Sequence, residues 1–233
     1  MSAPSTSTPL PKLAKPGLGF NAYFATSDPT SPLQNAKVCT NGDQTSTPDY
    51  LPDWHTDRAI EFVRKSAGKP FCLCLFYPPV REPLNYPPGT EDLYPPASLP
   101  PAQPKSAKNL SGRLSSCEPA QSYRSKQSGD QLRQAQSKYY SMVTRMDENV
   151  GRLLRVLTEL NLDRNTIVVF TSAQGFATGE NGMWGTGPLF WDTFIHCPLL
   201  VRLPQSANAE RTPIGQLVSS VDLAPTLLEA AGL

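Results

Sequence analysis

Apolar residues recur at three- and four-residue spacing in two parts of the chain, which is the period of an amphipathic helix. The shorter part predicts a helix over residues 52–65, which Gly68 follows as a stop, and a short third helix is predicted over residues 220–232. The longer part predicts a helix over residues 131–160. Its apolar stripe consists of Tyr139, Met142, Val143, Met146, Val150, Leu153, Leu154, Leu157 and Leu160.

Three short runs are apolar at nearly every position instead of at alternate positions. They cover residues 71–76, 167–170 and 198–203, and such runs are typical of strands that a sheet buries on both faces. The first run contains Cys72 and Cys74, which we expect to be small buried side chains in reduced form. Helices that alternate with wholly apolar strands predict an α/β fold built on an open sheet.

Prolines are concentrated in the first part of the chain: 25 are present, and 19 of them precede residue 105. Because proline interrupts helices and strands, this part predicts few long elements. Residues 1–17 are rich in Ser, Thr and Pro with little to bury, so we expect a disordered leader. One folded domain is expected over residues 18–233, with a Pro-rich and basic loop insertion at about residues 78–129.

The charge balance excludes several classes of protein. Lys and Arg number 21 against 20 Asp and Glu, so neither nucleic acid nor an anionic membrane is an expected partner. No apolar run approaches the roughly 20 residues that span a bilayer, and the first residues show no apolar signal segment, so the expected location is cytoplasmic. Five cysteines and two histidines without a C-x-x-C motif predict no structural zinc site.

Residues 171–187 follow the predicted strand at 167–170 and are rich in glycine. Ligands of open α/β sheets bind beyond the carboxyl ends of the strands, so this loop is the first candidate site. The loop contains no Gly-Lys-Ser/Thr segment, which excludes a phosphate-binding loop of the P-loop type. Taken alone, the loop indicates no particular chemistry.

This loop and its surroundings together resemble the sulfatase family, which belongs to the alkaline-phosphatase-like superfamily. The resemblance implies an open, mostly parallel sheet with helices on both faces. It also implies a sulfuric ester hydrolase that uses calcium or another divalent cation and a formylglycine nucleophile. The segments that carry the resemblance keep the family's order, and they are residues 19–20, 57–62, 69–71, 92–94, 139–143, 146–151, 165–172, 179–185, 197–201 and 218–228.

The chain departs from the family pattern at the positions that would bind the metal and the sulfate. The family's metal-binding residues after the strand correspond to Ala173 and Gln174, which offer no ligand and one neutral oxygen. The histidine of a family Pro-His-x-Pro segment corresponds to Arg81, which is no general base at neutral pH. A lysine that contacts sulfate corresponds to Thr186. No cysteine or serine heads the Cys/Ser-x-Pro-x-Arg motif from which formylglycine is made.

These departures predict that the chain contains no catalytic residue and no metal ligand, and that it binds no cofactor. Arg81 and His196 are candidate contacts for an anion, whereas His55 is expected to be exposed or to cap a helix. The family's N-terminal strand or strands and its C-terminal subdomain have no counterpart here. The predicted function is therefore a truncated sulfatase-like domain without hydrolase activity.

Three alternatives stay open. The first is an active sulfuric ester hydrolase with relocated ligands, and the second is a pseudoenzyme that binds sulfated or phosphorylated ligands. The third is a decayed or misassembled gene fragment without a function. The expected partner is a sulfated small molecule or glycan. Because a missing strand leaves open sheet edges and apolar surface, we also expect self-association.

Overall fold

The computed structural model describes residues 21–26, 32–78, 80–100, 129–180, 183–186, 191–204 and 213–233. The expected leader at residues 1–17 lies outside the described residues, as do residues 101–128 of the expected insertion. The Pro-rich part of that insertion contains one short 3-10 helix, Pro96–Ser98. No helix of the described chain is both long enough and apolar enough to cross a membrane.

Three short strands form an antiparallel sheet, β1 (Phe24–Thr26), β2 (Ala36–Thr40) and β3 (Asp43–Thr47). Asn41 and Gly42 connect β2 to β3, and both have the positive φ that a two-residue hairpin turn requires. The inward side chains of β2 are fully buried and pack on the helix that follows β3.

The first helix, α1 (Leu51–Ser66), confirms the prediction for residues 52–65. Pro52 lies in its first turn, where the missing N–H removes no helical hydrogen bond. Asp53 lies near the N-terminus, and Arg64 and Lys65 lie in the last turn, so the charges complement the helix dipole.

The second helix, α2 (Asp130–Glu159), confirms the prediction for residues 131–160. Val156 of α2 is buried against Val63 of α1, within a cluster that defines the main core. A polar contact joins the same two helices, because the buried Asn149 side chain donates to the Asp53 carboxylate at 2.7 Å. The two helices therefore form the helical layer of the fold.

The remaining strands pair in antiparallel fashion. β4 (Val168–Thr171) pairs with β7 (Leu199–Arg202), and β5 (Ala177–Thr178) pairs with β6 (Trp184–Gly185). The structure is α/β as predicted, whereas the sequence also predicts a mostly parallel sheet. All strand pairs within the described residues are antiparallel.

The apolar run at residues 71–76 is not paired as a strand within the described chain. Leu73 packs on the α1–α2 core, but Cys72 and Cys74 are exposed, and 83% of the Phe76 side chain is open to solvent. The predicted burial of both cysteines is therefore wrong. The reason is physical: helices cover one side of the run, and no described element covers the other.

Apolar residues are also exposed in β7. Leu200 and Val201 of β7 are exposed, although the sequence predicts a strand buried on both faces. A helix of four residues, α3 (Asp192–Ile195), precedes β7, and the chain closes with a 3-10 turn (Ser220–Asp222) and α4 (Leu223–Ala230). This last pair confirms the helix predicted over residues 220–232, but no side chain of α4 is buried.

Candidate functional site

The loop that follows β4 is held against α3 at Gly175. The Gly175 N–H donates to the carbonyl oxygen of Phe194 at 2.9 Å. A Cβ atom at this position would lie 1.9 Å from the carbonyl oxygen of Thr193, far inside van der Waals contact. Glycine is therefore the residue that permits this close approach of two backbones.

Ala173 and Gln174 lie at the exposed tip of the same loop. The Ser172 hydroxyl donates to the backbone carbonyl oxygen of Gln174 at 2.7 Å, which closes a tight local turn. The tip thus presents a methyl group and a neutral amide to solvent at the position beyond the carboxyl end of β4.

The β5–β6 hairpin is shaped by Glu180. Its carboxylate accepts hydrogen bonds from the Thr178 backbone N–H at 2.6 Å and from the Thr178 hydroxyl at 2.8 Å. Gln136 of α2 donates to the Thr178 carbonyl oxygen at 2.8 Å and anchors the hairpin to the long helix. The Glu180 carboxylate is therefore engaged in holding the turn, while Asn181 lies outside the described residues.

Phe176 links the loop, the hairpin and α2 through aromatic contacts. Its ring stacks on Tyr139 with centroids 5.0 Å apart, and it meets Trp184 edge to face at 5.5 Å. Burial raises the pKa of the Tyr139 hydroxyl, and the negative charge of Glu180 adds to that rise. Tyr139 therefore stays neutral at physiological pH and serves as a packing surface.

One hydrogen bond joins the hairpin to the Pro-rich segment. The indole Nε1 of Trp184 donates to the Glu82 carboxylate at 2.9 Å, across 102 residues of sequence. Arg81 directly precedes Glu82, and Thr186 follows Trp184 by two positions. The structure therefore brings these two sequence-predicted positions to one edge of the molecule.

Ala173 and Gln174 border the same edge, and His196 lies on the loop after α3. Ala173 and Gln174 directly precede Gly175, whose neighbour Phe176 contacts Trp184. His196 directly follows α3, against which the loop is held. Four separate segments thus carry the five positions that the resemblance to the sulfatase family singles out.

The charged groups at this edge are suited to anions. Arg81 is exposed and forms no ion pair with another described residue, and the neighbouring Glu82 carboxylate already accepts the Trp184 hydrogen bond. His196 is exposed as well. A guanidinium with free donors binds sulfate or carboxylate groups through paired hydrogen bonds.

The divalent cation that the family implies does not fit the side chains after β4. Calcium takes six to eight oxygen ligands and prefers carboxylates, whereas Ala173 offers no donor and Gln174 one amide oxygen. Within the described ranges, no three His, Cys, Asp or Glu side chains lie close enough to share a metal ion. The side chains described after β4 therefore do not provide the set of oxygen ligands that calcium prefers.

Sequence reasoning missed two residues near these loops. Glu82 was not singled out, and no local pattern indicates it, because its partner Trp184 lies 102 residues away. His55 is predicted to be exposed or capping, but it is buried in α1, and its Nδ1 has no hydrogen-bond partner among the described residues. Burial lowers the pKa of the His55 imidazole from 6.5 to about 4.

Comparison with known proteins identifies the class to which this arrangement belongs. The family model described as Sulfatase matches residues 3–233. The chain belongs to the sulfatase family.

Two curated relatives show how much of such a protein the chain represents. N-acetylglucosamine-6-O-sulfatase of Bacteroides thetaiotaomicron is 39% identical over 95 residues, which cover 41% of this chain and 17% of the relative. Human iduronate 2-sulfatase is 31% identical over 222 residues, which cover 78% of this chain and 40% of the relative. The chain spans less than half the length of these relatives.

The fold agrees with solved structures. The protein BT4656, solved in complex with its substrate D-glucosamine-2-N,6-O-disulfate, superposes with a TM-score of 0.71 at 22% sequence identity. The superposition covers 92% of this chain and 56% of that chain. This likeness confirms the predicted alkaline-phosphatase-like α/β fold.

Proposed function

We propose that this chain is a sulfatase-family domain that does not hydrolyse sulfate esters by itself. The observation that carries the proposal is the exposed tip after β4, where Ala173 and Gln174 stand in place of metal ligands. The chain also contains no Cys/Ser-x-Pro-x-Arg segment from which formylglycine is made. Without a nucleophile and without a cation to stabilise the developing charge, no step of ester cleavage has a catalyst.

The test is hydrolysis of 4-nitrophenyl sulfate in the presence of calcium, measured as released 4-nitrophenol. We expect no release from the wild-type chain, and none from the double variant Ala173→Asp with Gln174→His, because the nucleophile is still absent. Calcium-dependent release by the wild type would establish the first alternative, an active hydrolase with relocated ligands. Release by the double variant without release by the wild type would show that the chain contains a nucleophile.

The second candidate function is binding of sulfated saccharides, and the ion-pair-free Arg81 favours it. The relatives named above are sulfatases of sugars by their names, and BT4656 was solved with a disulfated glucosamine. A sulfated monosaccharide is therefore the ligand class that we propose for this edge. Arg81 supplies a planar donor pair, and His196 lies on the adjoining loop.

Binding is measured as the shift in melting temperature with glucosamine 6-sulfate against unsulfated glucosamine. We expect an upward shift with the sulfated sugar alone, and its loss in Arg81→Ala. Arg155→Ala is the matched control, because it removes an exposed arginine of α2 outside this edge. Equal shifts with both sugars, or an unchanged shift in Arg81→Ala, would contradict binding by this edge.

The extent of the domain is also a proposal. We propose that residues 18–233 form one partial sulfatase-like unit. A Pro-rich and basic loop is inserted into this unit at about residues 78–129, between α1 and α2. Support comes from α1 and α2, which flank that segment and pack directly on each other. Limited proteolysis is expected to cleave first within residues 101–128 and to leave the α1–α2 contact intact.

A further inference from the structure

A large groove lies between the N-terminal sheet and the unpaired run at residues 71–77. Its walls are β1 and that run, and its floor is α1, including His55, Ala59 and Phe62. The groove has a volume of about 1330 Å³, whereas pockets for small ligands measure roughly 300–1,000 Å³. Its size and length suit a polypeptide segment better than a small molecule.

The wall at residues 71–77 has the properties of an acceptor strand. Its side chains alternate between half-buried and exposed, which is the period of a strand, and within the described chain it makes no strand pairing and no backbone hydrogen bond. Seven extended residues present an edge about 23 Å long. An edge of unpaired N–H and C=O groups with apolar side chains is a template for another strand.

The C-terminal part of the same chain supplies a matching segment. Residues 213–219 form no helix or strand, and they are fully open to solvent. Ile214 is 78% exposed, Leu217 is 103% exposed and Val218 is 60% exposed. None of these residues lines the groove of its own chain. We call residues 213–219 the C-terminal arm.

The charges of the two surfaces are complementary. Four basic side chains line the groove, against one acidic side chain, Glu82, and the four are Arg58, Lys65, Lys69 and Arg81. Residues 213–233, which comprise the arm and α4, contain Asp222 and Glu229 and no Lys, Arg or His. The arm itself contains no charged side chain, and the two acidic residues that follow it are attracted to the basic groove.

We propose that the C-terminal arm of a second copy of this chain adds as a strand to residues 71–77, and that the exchange is reciprocal. Because the exchange is reciprocal, each arm occupies the groove of the copy whose arm fills its own groove, and the association closes at a twofold dimer. Strand addition satisfies the open backbone edge, and the arm's apolar side chains leave solvent. The groove meets the sulfatase-like edge at Arg81 and Glu82, but this proposal does not depend on the proposed function.

The first test is sedimentation velocity of the full chain and of Leu217→Asp. We expect the wild type to form a dimer and Leu217→Asp to raise the dimer dissociation constant at least tenfold. Leu217 is fully exposed, so its replacement does not disturb the folded monomer. Gln216→Asp is the matched control, because it adds the same charge to the arm while keeping its apolar side chains, and it is expected to stay dimeric.

The second test locates the contact by thiol labelling with iodoacetamide, read peptide by peptide by mass spectrometry. Cys72 and Cys74 are exposed and line the groove, whereas Cys197 does not line it and serves as the internal reference. We expect both groove cysteines to be protected in the wild-type dimer and reactive in Leu217→Asp. Cys197 is expected to react equally in the two proteins.

Each other outcome overturns the proposal in a distinct way. A wild-type monomer with reactive groove cysteines shows that the groove stays empty. A monomer with protected groove cysteines places another segment of the same chain there. A dimer whose groove cysteines remain reactive uses a different surface, and association that continues beyond the dimer excludes a closed exchange.

Discussion

Gly175 shows how one residue fixes the geometry of the candidate edge. Its missing side chain lets the loop after β4 lie directly on the α3 backbone, where a Cβ would meet the Thr193 carbonyl oxygen at 1.9 Å. Residues 171–187 contain several glycines, but the sequence does not show which of them lies directly against another backbone segment. That distinction requires the position of α3, which is a tertiary feature.

Replacing Gly175 by Ala is therefore expected to lower stability by roughly 1–3 kcal/mol, because a backbone must move to admit the new methyl group. The measurement is urea denaturation followed by circular dichroism. Gly151→Ala is the opposite control: its nearest neighbour is a side-chain atom of Arg155 at 3.7 Å, within α2. This second variant is expected to gain roughly 0.5–1 kcal/mol from helix propensity.

The buried His55 side chain makes the free energy of unfolding depend on pH. Burial lowers the pKa of its folded-state imidazole to about 4, from 6.5 in the unfolded chain. Between these values the unfolded state binds the proton and the folded state does not, so stability is lost as pH falls from about 6.5 to about 4. The full difference is on the order of 3 kcal/mol.

The measurement is the free energy of unfolding at pH 7 and at pH 4.5 for the wild type and for His55→Leu. We expect the wild type to lose more stability than the variant between these two values, since leucine does not titrate. Carboxylates contribute equally to both proteins and cancel in the comparison. Parallel losses in the two proteins would show that the His55 imidazole is protonated in the folded state.

At the scale of elements, α1 and α2 are joined by contacts of very different energetic weight. Asn149 is fully buried, donates to Asp53 and accepts from Arg152, so its removal leaves buried polar groups unpaired. The Arg64–Glu159 pair of the same two helices is exposed on both sides, and such pairs contribute little.

Asn149→Ala is accordingly expected to cost roughly 1–3 kcal/mol of unfolding free energy. Glu159→Gln, the matched control on the same helix interface, is expected to change it by less than about 1 kcal/mol. Chemical denaturation of the two variants measures both values. A larger loss in Glu159→Gln than in Asn149→Ala would show that the buried amide is not the main polar link between the helices.

At the scale of the whole molecule, the α1–α2 layer covers some apolar residues of the described chain and leaves others open to solvent. The α1–α2 layer packs beneath Leu73 and Val168, whereas Phe76, Leu200 and Val201 face solvent. Apolar residues that are exposed in such numbers indicate a surface for association. The self-association expected from the sequence stays a prediction, and the groove proposal states where it would occur.

Amide hydrogen exchange rates are expected to differ between the covered and the uncovered parts of the molecule. In the Leu217→Asp variant, amides of residues 71–77 and of α4 are expected to exchange rapidly, because they lack strand partners or buried contacts. The amides in the middle of α2 are expected to exchange slowly. Mass spectrometry of exchanged peptides measures this, and slow exchange at residues 71–77 in that variant would contradict an unpaired edge.

How much the sequence reveals depends on the distance over which an interaction acts. The helices at 51–66 and 130–159 were predictable, since an apolar period of three to four residues is a local property. The side chains at Ala173 and Gln174 are equally evident from the sequence, and the proposal that they replace metal ligands stays a prediction. The family resemblance, which the Sulfatase model confirms, likewise rests on ordered local segments.

The tertiary structure determined the contacts and the burial that a local sequence pattern does not contain. The hydrogen bond between Trp184 and Glu82 connects residues 102 positions apart and joins the Arg81 segment to the hairpin. The exposure of Cys72 and Cys74 was not predictable, because the apolar sequence pattern of such a segment is the same whether or not another layer covers it. Composition along the chain thus determined the elements and their chemical content, whereas burial and pairing depended on which elements lie beside each other in space.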